Sequence, residues 1–352
     1  MTHKKISIIA LLVTSLCAGG FVYYKKFISN SSNDSGTDAL LEMLLSSKEE
    51  MLLNPNDPKV LLKEASSYYD FIRGVFSANE SMMLTDDTLP LGSIATMTSA
   101  FKRLGYDLSD VEKSKSKGDD YYLETFQKKL DEIKDKMLDE AIQYYRKSFQ
   151  LLEPDKVPSA EYYHELGVLY YMKGRAYSTE ATKYILKSIN MDYKNPWGLC
   201  FLGNIYYEID SLENAIYYYK KAYEILPNNP IILFNLAWSE KEAGFLDESE
   251  RGFHELVNTM SLEETLTPAD ISVILKAHYS LGYIALDRKK YPDAVKEFAL
   301  VTQLEPMSPE GYYWLGKSFY MNNQKDDAKK AWGSLIKIAP AFKDVQSLYE
   351  NL

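Results

Sequence analysis

The sequence predicts an all-α protein, a solenoid built from antiparallel helix pairs. Three observations support this prediction. A pattern of small and large residues recurs with a spacing of 34 residues from Pro196 to Pro230. Apolar residues follow helical periodicity from Ala39 onward, without the strict alternation typical of strands. The 17 glycines and 13 prolines are few for 352 residues and fall mostly at the joints between predicted helices.

The repeated pattern has a physical reason at each position. In the unit that begins at Pro196, the small residues Gly203 and Ala215 would let two helices approach closely, and the larger Tyr206 and Tyr219 would fill the remaining space. Pro227 would end the second helix. Matching units begin at Ala160, Pro230, Leu275 and Pro309, with two extra residues inside the first of these.

This pattern resembles the tetratricopeptide-repeat (TPR) family, and about five such units cover residues 160–341. The resemblance implies a right-handed superhelical solenoid with a concave side. It also implies that residues 342–352 form a capping helix, because the last repeat would otherwise expose an apolar face.

The region at 39–159 is interpreted as a divergent helical continuation of the array. Helices are predicted at Ala39–Leu53, Pro58–Phe76, Ser93–Leu104 and Asp119–Leu152, with polar loops at Ser77–Thr88 and Tyr106–Gly118. Residues Leu138–Glu153 look like the second helix of a further repeat whose first helix is degenerate.

The N-terminal segment predicts export or membrane attachment. After a short tail at 1–5, residues 6–24 carry no charge and suit a bilayer span, with Lys25 and Lys26 at its end. A cleaved signal peptide with Ala18-Gly19-Gly20 at the cleavage site is the alternative. Residues 25–38 read as a flexible linker. We expect a membrane-anchored protein with a periplasmic or extracytoplasmic body, although a cytosol-facing body is also compatible.

An insertion separates the units that begin at Pro230 and Leu275, which lie 45 residues apart instead of 34. Thr267, Pro268 and Asp270 form a helix-start signal inside it, so the insertion is expected to lengthen the following first helix by about two turns. The segment is either an additional contact surface or a tolerated loop insertion.

Several functional classes are disfavoured. Gly311–Ser318 matches the phosphate-binding pattern GxxxxGKS, but it falls within a repeat helix and lacks the preceding strand that such a loop needs. The histidines do not combine with Cys, Asp or Glu at metal-binding intervals, so neither a metal nor another cofactor is expected. The net charge of −10, without a basic stripe, argues against nucleic acid. No small-molecule substrate or enzymatic activity is inferred.

The resemblance points to the inward face of the first helices as a groove for a protein or peptide partner. Aromatic side chains offer large, rigid contact area there, and polar side chains offer hydrogen bonds. The predicted partner-binding residues are Asn204, Tyr207, Phe234, Asn235, Trp238, Lys241, Lys276, Tyr279, Tyr283, Tyr313, Lys317 and Tyr320. The alternative is that several of them simply pack under the next repeat.

Chaperone-binding TPR domains hold a chain-terminal carboxylate with a set of Lys, Asn and Arg residues. Asn204, Asn235 and Lys276 match that set, but Cys200 and Ser280 stand where a Lys and an Arg are needed. The clamp is therefore not expected in this chain.

The sequence thus indicates a membrane-tethered interaction scaffold. It is similar to TPR proteins of the bacterial envelope that assemble around secretion systems, pili or periplasmic flagellar motors. A cytosol-facing membrane receptor for client proteins in targeting or import is the alternative, and an enzyme is a remote one.

Overall fold

The computed structural model describes residues 33–82, 91–153, 156–261, 266–342 and 345–351. These residues form helices joined by turns, with no strand among them. The apolar segment 6–24 lies outside the described residues. Within the described part of the chain, no helix combines the length and the apolar character that crossing a membrane requires. The chain divides into two compact units, one ending at Ile225 and one beginning at Leu226.

The first unit begins with long helices and continues with helix pairs. Its helices are α1 (Asn33–Leu53), α2 (Pro58–Met82), α3 (Leu91–Arg103), α4 (Ser109–Ser114), α5 (Asp119–Leu151), α6 (Ala160–Met172), α7 (Ser178–Asn190), α8 (Pro196–Glu208) and α9 (Leu212–Ile225). Helix α2 packs against α1 and α5, whereas α6 pairs with α7 and α8 pairs with α9.

The second unit consists of three helix pairs followed by a short helix. Its helices are α10 (Pro230–Glu242), α11 (Leu246–Met260), α12 (Pro268–Asp287), α13 (Tyr291–Leu304), α14 (Pro309–Met321), α15 (Lys325–Ile338) and α16 (Val345–Glu350). In each pair the first helix packs along the second, and α13 also packs against α14. Val345 of α16 is buried against Trp332 and Leu335, as expected of a capping helix.

The starts of the first helices α8, α10, α12 and α14 follow directly from the sequence. Asn195, Asn229 and Ser308 each precede a proline, and each side chain accepts a hydrogen bond from a backbone N–H of the first turn. Thr267 and Asp270 form a complete capping box at the start of α12. Helix α12 has 20 residues, against 13 in α10, so the predicted lengthening by about two turns is confirmed.

Close approach of the paired helices depends on glycine. A Cβ atom added to Gly203, Gly282 or Gly316 would lie under 3.0 Å from the ring of Tyr219, Phe298 or Trp332, respectively. Gly167 stands in the same relation to Ile185. Each of these large side chains on the second helix therefore packs directly on the backbone of the first helix, at the spacing that the repeat pattern predicts.

Four expectations for the N-terminal region are wrong. Residues 33–38, predicted as linker, belong to α1. Helix α2 continues to Met82 through the start of a predicted loop, and α4 occupies part of the predicted loop Tyr106–Gly118. Residues 119–151 form one helix of 33 residues, so Leu138–Glu153 is not a separate second helix. Buried side chains at intervals along α5 explain its continuity, because it packs along α2 and α4.

A carboxyl group lies in the core of the first unit. Glu64 on α2 is fully buried; it accepts a hydrogen bond from Ser47, and its other oxygen has no protein partner. Burial raises the pKa of Glu64 to about 7, with Glu140 adding to the effect, whereas the Ser47 hydrogen bond and Lys48 oppose it. Between pH 4.5 and 7 the folded protein keeps this proton while the unfolded chain loses it. Stability from this group therefore falls as the pH rises through that window.

We predict that Glu64→Gln stabilises the protein at pH 8 by on the order of 1–2 kcal/mol and has little effect at pH 5, because glutamine mimics the protonated acid. Unfolding followed by circular dichroism at both pH values measures this. Glu49→Gln, at an exposed position on α1, is the control and should show no such pH dependence. Equal effects of Glu64→Gln at both pH values would contradict the prediction.

The glycine contacts yield a second prediction. Gly316→Ala should destabilise the second unit by about 2 kcal/mol, because the new methyl group meets the Trp332 indole. Gly333→Ala, in the neighbouring helix α15, should instead stabilise by about 0.5–1 kcal/mol, since its nearest neighbour, Tyr349, is 3.5 Å away. Thermal unfolding of both variants measures these changes in stability. A neutral or stabilising Gly316→Ala would show that the close approach is not required.

Candidate functional site

The first helices α12 and α14 of the second unit lie side by side and carry half of the predicted partner-binding residues. The Tyr279 hydroxyl lies 2.9 Å from the Ser308 hydroxyl, just before α14. The ring centroids of Tyr283 and Trp314 are 5.1 Å apart. These two contacts fix the register of α12 against α14.

Four aromatic side chains form a continuous surface on these helices, which we call the aromatic strip: Tyr279, Tyr283, Tyr313 and Trp314. Tyr279 stacks with Tyr283 at 6.1 Å, and Tyr313 meets Trp314 edge-on at 5.3 Å. Each ring is only partly buried. The strip is supported from below by Phe298 of α13, whose ring centroid lies 5.5 Å from that of Tyr283 and 6.2 Å from that of Trp314.

Burial keeps the hydroxyl groups of Tyr279 and Tyr283 uncharged at physiological pH. Burial raises the pKa of Tyr279 to about 12, and the pKa of Tyr283 is also raised by burial, with Glu310 nearby. The Trp314 indole N–H donates to Glu310 at 2.9 Å. The strip therefore combines apolar contact area with hydroxyl groups, which suits a protein segment.

A separate aromatic cluster lies on α10. Trp238 stacks with Phe234 at 5.8 Å, and the Lys241 ammonium lies 4.0 Å from the Trp238 ring centroid. Lys241 also pairs with Glu242 at 3.1 Å. Trp238 is partly exposed, but Phe234 and Asn235 are buried. Trp238 and Lys241 are therefore the predicted residues of α10 that are open to contact.

Two lysines border the aromatic strip. Lys317 on α14 lies 4.8 Å from the ring centroid of Trp314. Lys276 on α12 is half-buried one turn before Tyr279, and burial lowers the pKa of Lys276 to about 8. Within the described part of the chain, neither ammonium has a carboxylate within 4.0 Å.

The remaining predicted residues divide between surface and core. Tyr320 is 50% exposed, with its ring 6.1 Å from that of Trp332. In the first unit, Tyr207 is partly exposed, but Asn204 is fully buried. Asn204 accepts from the Tyr219 hydroxyl at 2.6 Å and donates to the Tyr171 hydroxyl at 3.3 Å. Together with Phe234 and Asn235, it contributes packing and does not offer a free surface.

Sequence reasoning missed Trp314, which lies at the centre of the strip. It sits inside the GxxxxGKS match, in a helix whose glycines contact neighbouring helices. The pairing of Trp314 with Lys317 one turn later was the available signal.

His278 and the GxxxxGKS match both lie within helices of the second unit. Within the described residues, no group of three or more His, Cys, Asp or Glu side chains could hold a metal ion. His278 is buried, and its Nδ1 lies 2.7 Å from Glu297, which gives this histidine a packing role between α12 and α13. Gly311–Ser318 is helical, so its backbone amides are not arranged as a phosphate-binding loop.

Comparison with known proteins identifies the repeats. Residues 198–229 and residues 279–341 match tetratricopeptide-repeat family profiles. A TPR repeat-containing protein of Methanocaldococcus jannaschii is 29% identical over 171 residues, which are 48% of this chain and 29% of that protein. The chain thus spans less than a third of the length of this curated relative.

Solved structures with a similar arrangement of helices have low sequence identity. MamA, from residue 41 to its end, of Desulfovibrio magneticus RS-1 is 12% identical with a TM-score of 0.44, covering 52% of this chain and 97% of that one. PilF of Pseudomonas aeruginosa is 15% identical with a TM-score of 0.45, covering 63% of this chain and 94% of that one.

Proposed function

This chain is a tetratricopeptide-repeat protein, and we propose that it acts as a scaffold that binds protein partners through the first helices of its second unit. The observation that carries the proposal is the aromatic surface on these helices. Trp238 and the aromatic strip present partly exposed rings with hydrogen-bonding tips, on helices held in place by close packing. Rigid Tyr and Trp side chains cost little conformational entropy on binding and supply most of the energy at many interfaces.

We further propose that residues 6–24 tether the scaffold to a membrane and that the body is extracytoplasmic, within an envelope-associated assembly such as a secretion, pilus or periplasmic flagellar machine. The support is the uncharged stretch flanked by lysines. A cytosol-facing receptor for client proteins is the second candidate. The side of the membrane on which a C-terminal tag lies distinguishes them. Cys200 is unsuitable for this labelling because it is buried.

No enzymatic activity is proposed, and the partners considered are proteins. The buried His278–Glu297 pair links two helices and is not open to a substrate. The partly exposed rings and lysines of α10, α12 and α14 favour contact with a polypeptide.

We predict that the double variant Trp238→Ala plus Tyr283→Ala weakens binding of the native partner by at least about 2 kcal/mol, or roughly 30-fold, because both rings lose their contact area. The partner is first identified by affinity purification from the native organism. Its affinity for the purified protein is then measured by calorimetry.

The control is the double variant Glu255→Lys plus Asp326→Lys, at exposed positions on the second helices α11 and α15. It should change mainly the salt dependence of binding. Helicity is checked for both variants by circular dichroism. If the aromatic double variant is folded and binds as tightly as the parent, the proposed surface is not the binding site, and the insertion before α12 becomes the next candidate.

A further inference from the structure

Helix α2 makes polar contacts on two opposite faces, each with a buried carboxyl group. Glu64, on α2 itself, accepts a hydrogen bond from the Ser47 hydroxyl of α1. Ser66, two residues later, donates to Glu165 of α6 at 3.3 Å. Two residues span about 200° around a helix, so Glu64 and Ser66 lie on nearly opposite faces of α2. A carboxyl group therefore links α2 to α1 on one face and to α6, the first helix of a repeat pair, on the other.

Glu165 connects three helices. It is 6% exposed, and its two oxygens accept hydrogen bonds from different helices, Oε1 from Ser66 of α2 and Oε2 from the Tyr145 hydroxyl of α5. Tyr145 is fully buried, and its ring centroid lies 6.1 Å from that of Tyr162 on α6. This carboxyl group thus lies at the junction between the N-terminal helices and the repeat pairs of the first unit.

The groups around Glu165 are mostly acidic or uncharged. Asp70 of α2 is partly buried, Glu161 of α6 is exposed, and both raise the pKa of Glu165. Arg73 of α2 supplies a positive charge that faces it. His164 stays uncharged, because burial lowers its pKa to about 3. The other uncharged neighbours, including those on α7 and α8, are Tyr69, Tyr145, Tyr162, Ile185, Tyr193 and Gly198.

Glu64 has comparable surroundings on the opposite face of α2. Glu140 of α5 raises the pKa of Glu64, and Lys48 of α1 lowers it, although burial is the largest influence. Uncharged side chains complete the surroundings, namely Ser47, Tyr68, Tyr144 and, on α3, Phe101. Both carboxyl groups of the α2 contacts are therefore more stable with a proton than without one.

The two contacts depend on pH over the same range. Burial raises the pKa of Glu165 to about 7, the two neighbouring acids add to the effect, and its two hydrogen bonds oppose it. The pKa of Glu64 is also about 7. Because both values are raised from 4.5, the stabilisation is fully present below pH 4.5 and is lost as the pH rises through 7.

We propose that the two carboxyl contacts of α2 form a pH-sensitive switch, which we call the α2 switch. In mildly acidic solution protonated Glu64 and Glu165 hold α2 against α1 and α6, and loss of both protons at neutral to alkaline pH loosens these contacts. The repeat pairs keep their packing, because their glycine contacts involve no carboxyl group. Since α1 follows the proposed tether in sequence, the switch sets how rigidly the repeats are connected to it. Only that consequence rests on the proposed function.

Hydrogen exchange of the full chain, followed by mass spectrometry at pH 5 and pH 8, tests the α2 switch. Protection factors, which correct each rate for the intrinsic pH dependence of exchange, are compared between helices. We expect the protection factors of α1 and α2 to be at least about tenfold lower at pH 8 than at pH 5. Those of α8 and α9, in the same unit, should change by less than about threefold.

Glutamine variants assign the change to the two carboxyl groups. In Glu64→Gln plus Glu165→Gln the amides mimic the protonated acids, so α1 and α2 should be protected at pH 8 as strongly as in the parent at pH 5. Glu49→Gln plus Glu180→Gln removes two exposed carboxyl groups from α1 and α7 and should keep the pH dependence of the parent. Circular dichroism confirms that each variant is folded.

A further variant shifts the transition instead of abolishing it. Tyr145→Phe removes a hydrogen-bond donor that favours ionised Glu165, so the pH at which α2 loosens should rise. A loss of protection at every pH without this rise would indicate a merely structural role and would contradict the proposal. This variant also decides the case in which the double glutamine variant does not fold.

Three further results would overturn the inference. These are equal protection of α1 and α2 at the two pH values, a pH dependence that survives in the double glutamine variant, or an equal loss of protection in α8 and α9, which would show that the first unit opens as a whole. None of these results bears on the partner surface of the second unit, so failure of the α2 switch leaves the scaffold proposal standing.

Discussion

The rest of this structure depends on the contact between a glycine of a first helix and a large side chain of its partner helix, which occurs in α6, α8, α12 and α14. At Gly282 the ring of Phe298 packs on the backbone of α12. The same ring lies beneath Tyr283 and Trp314. The interaction that holds a helix pair together therefore also supports the aromatic strip, because one side chain contacts both. A scaffold of this kind presents rigid rings without a separate framework for them.

Features determined by local sequence could be predicted. The start of α12 depends on Thr267, Pro268 and Asp270, which lie within four residues of the chain. Its capping box and its added length could therefore be predicted from the sequence. The glycine positions could also be predicted, because the 34-residue spacing aligns Gly203 with its equivalents in other units. Trp238 and Tyr283 could be placed on the open side of their helices from the repeat alone.

Features determined by packing between distant residues could not be predicted. Asn204 is buried and forms hydrogen bonds with Tyr171 and Tyr219, which belong to other helices. The repeat pattern does not predict these hydrogen bonds. The continuity of α5 depends on its packing along α2, far away in the sequence. Glu64 is a polar residue in a core, where only the structure reveals its neighbours. Trp314 was overlooked because its importance arises from its contact with Tyr283 on another helix.

Site-specific photocrosslinking shows whether a protein partner lies on the first helices of the second unit. A benzophenone amino acid replaces Tyr283 or Tyr313 on the strip, and Lys296 or Lys329 on the second helices α13 and α15. We expect the same partner to be crosslinked in cells from both strip positions and from neither position on the second helices. Crosslinks to that partner from positions 296 and 329, with none from 283 and 313, would contradict it.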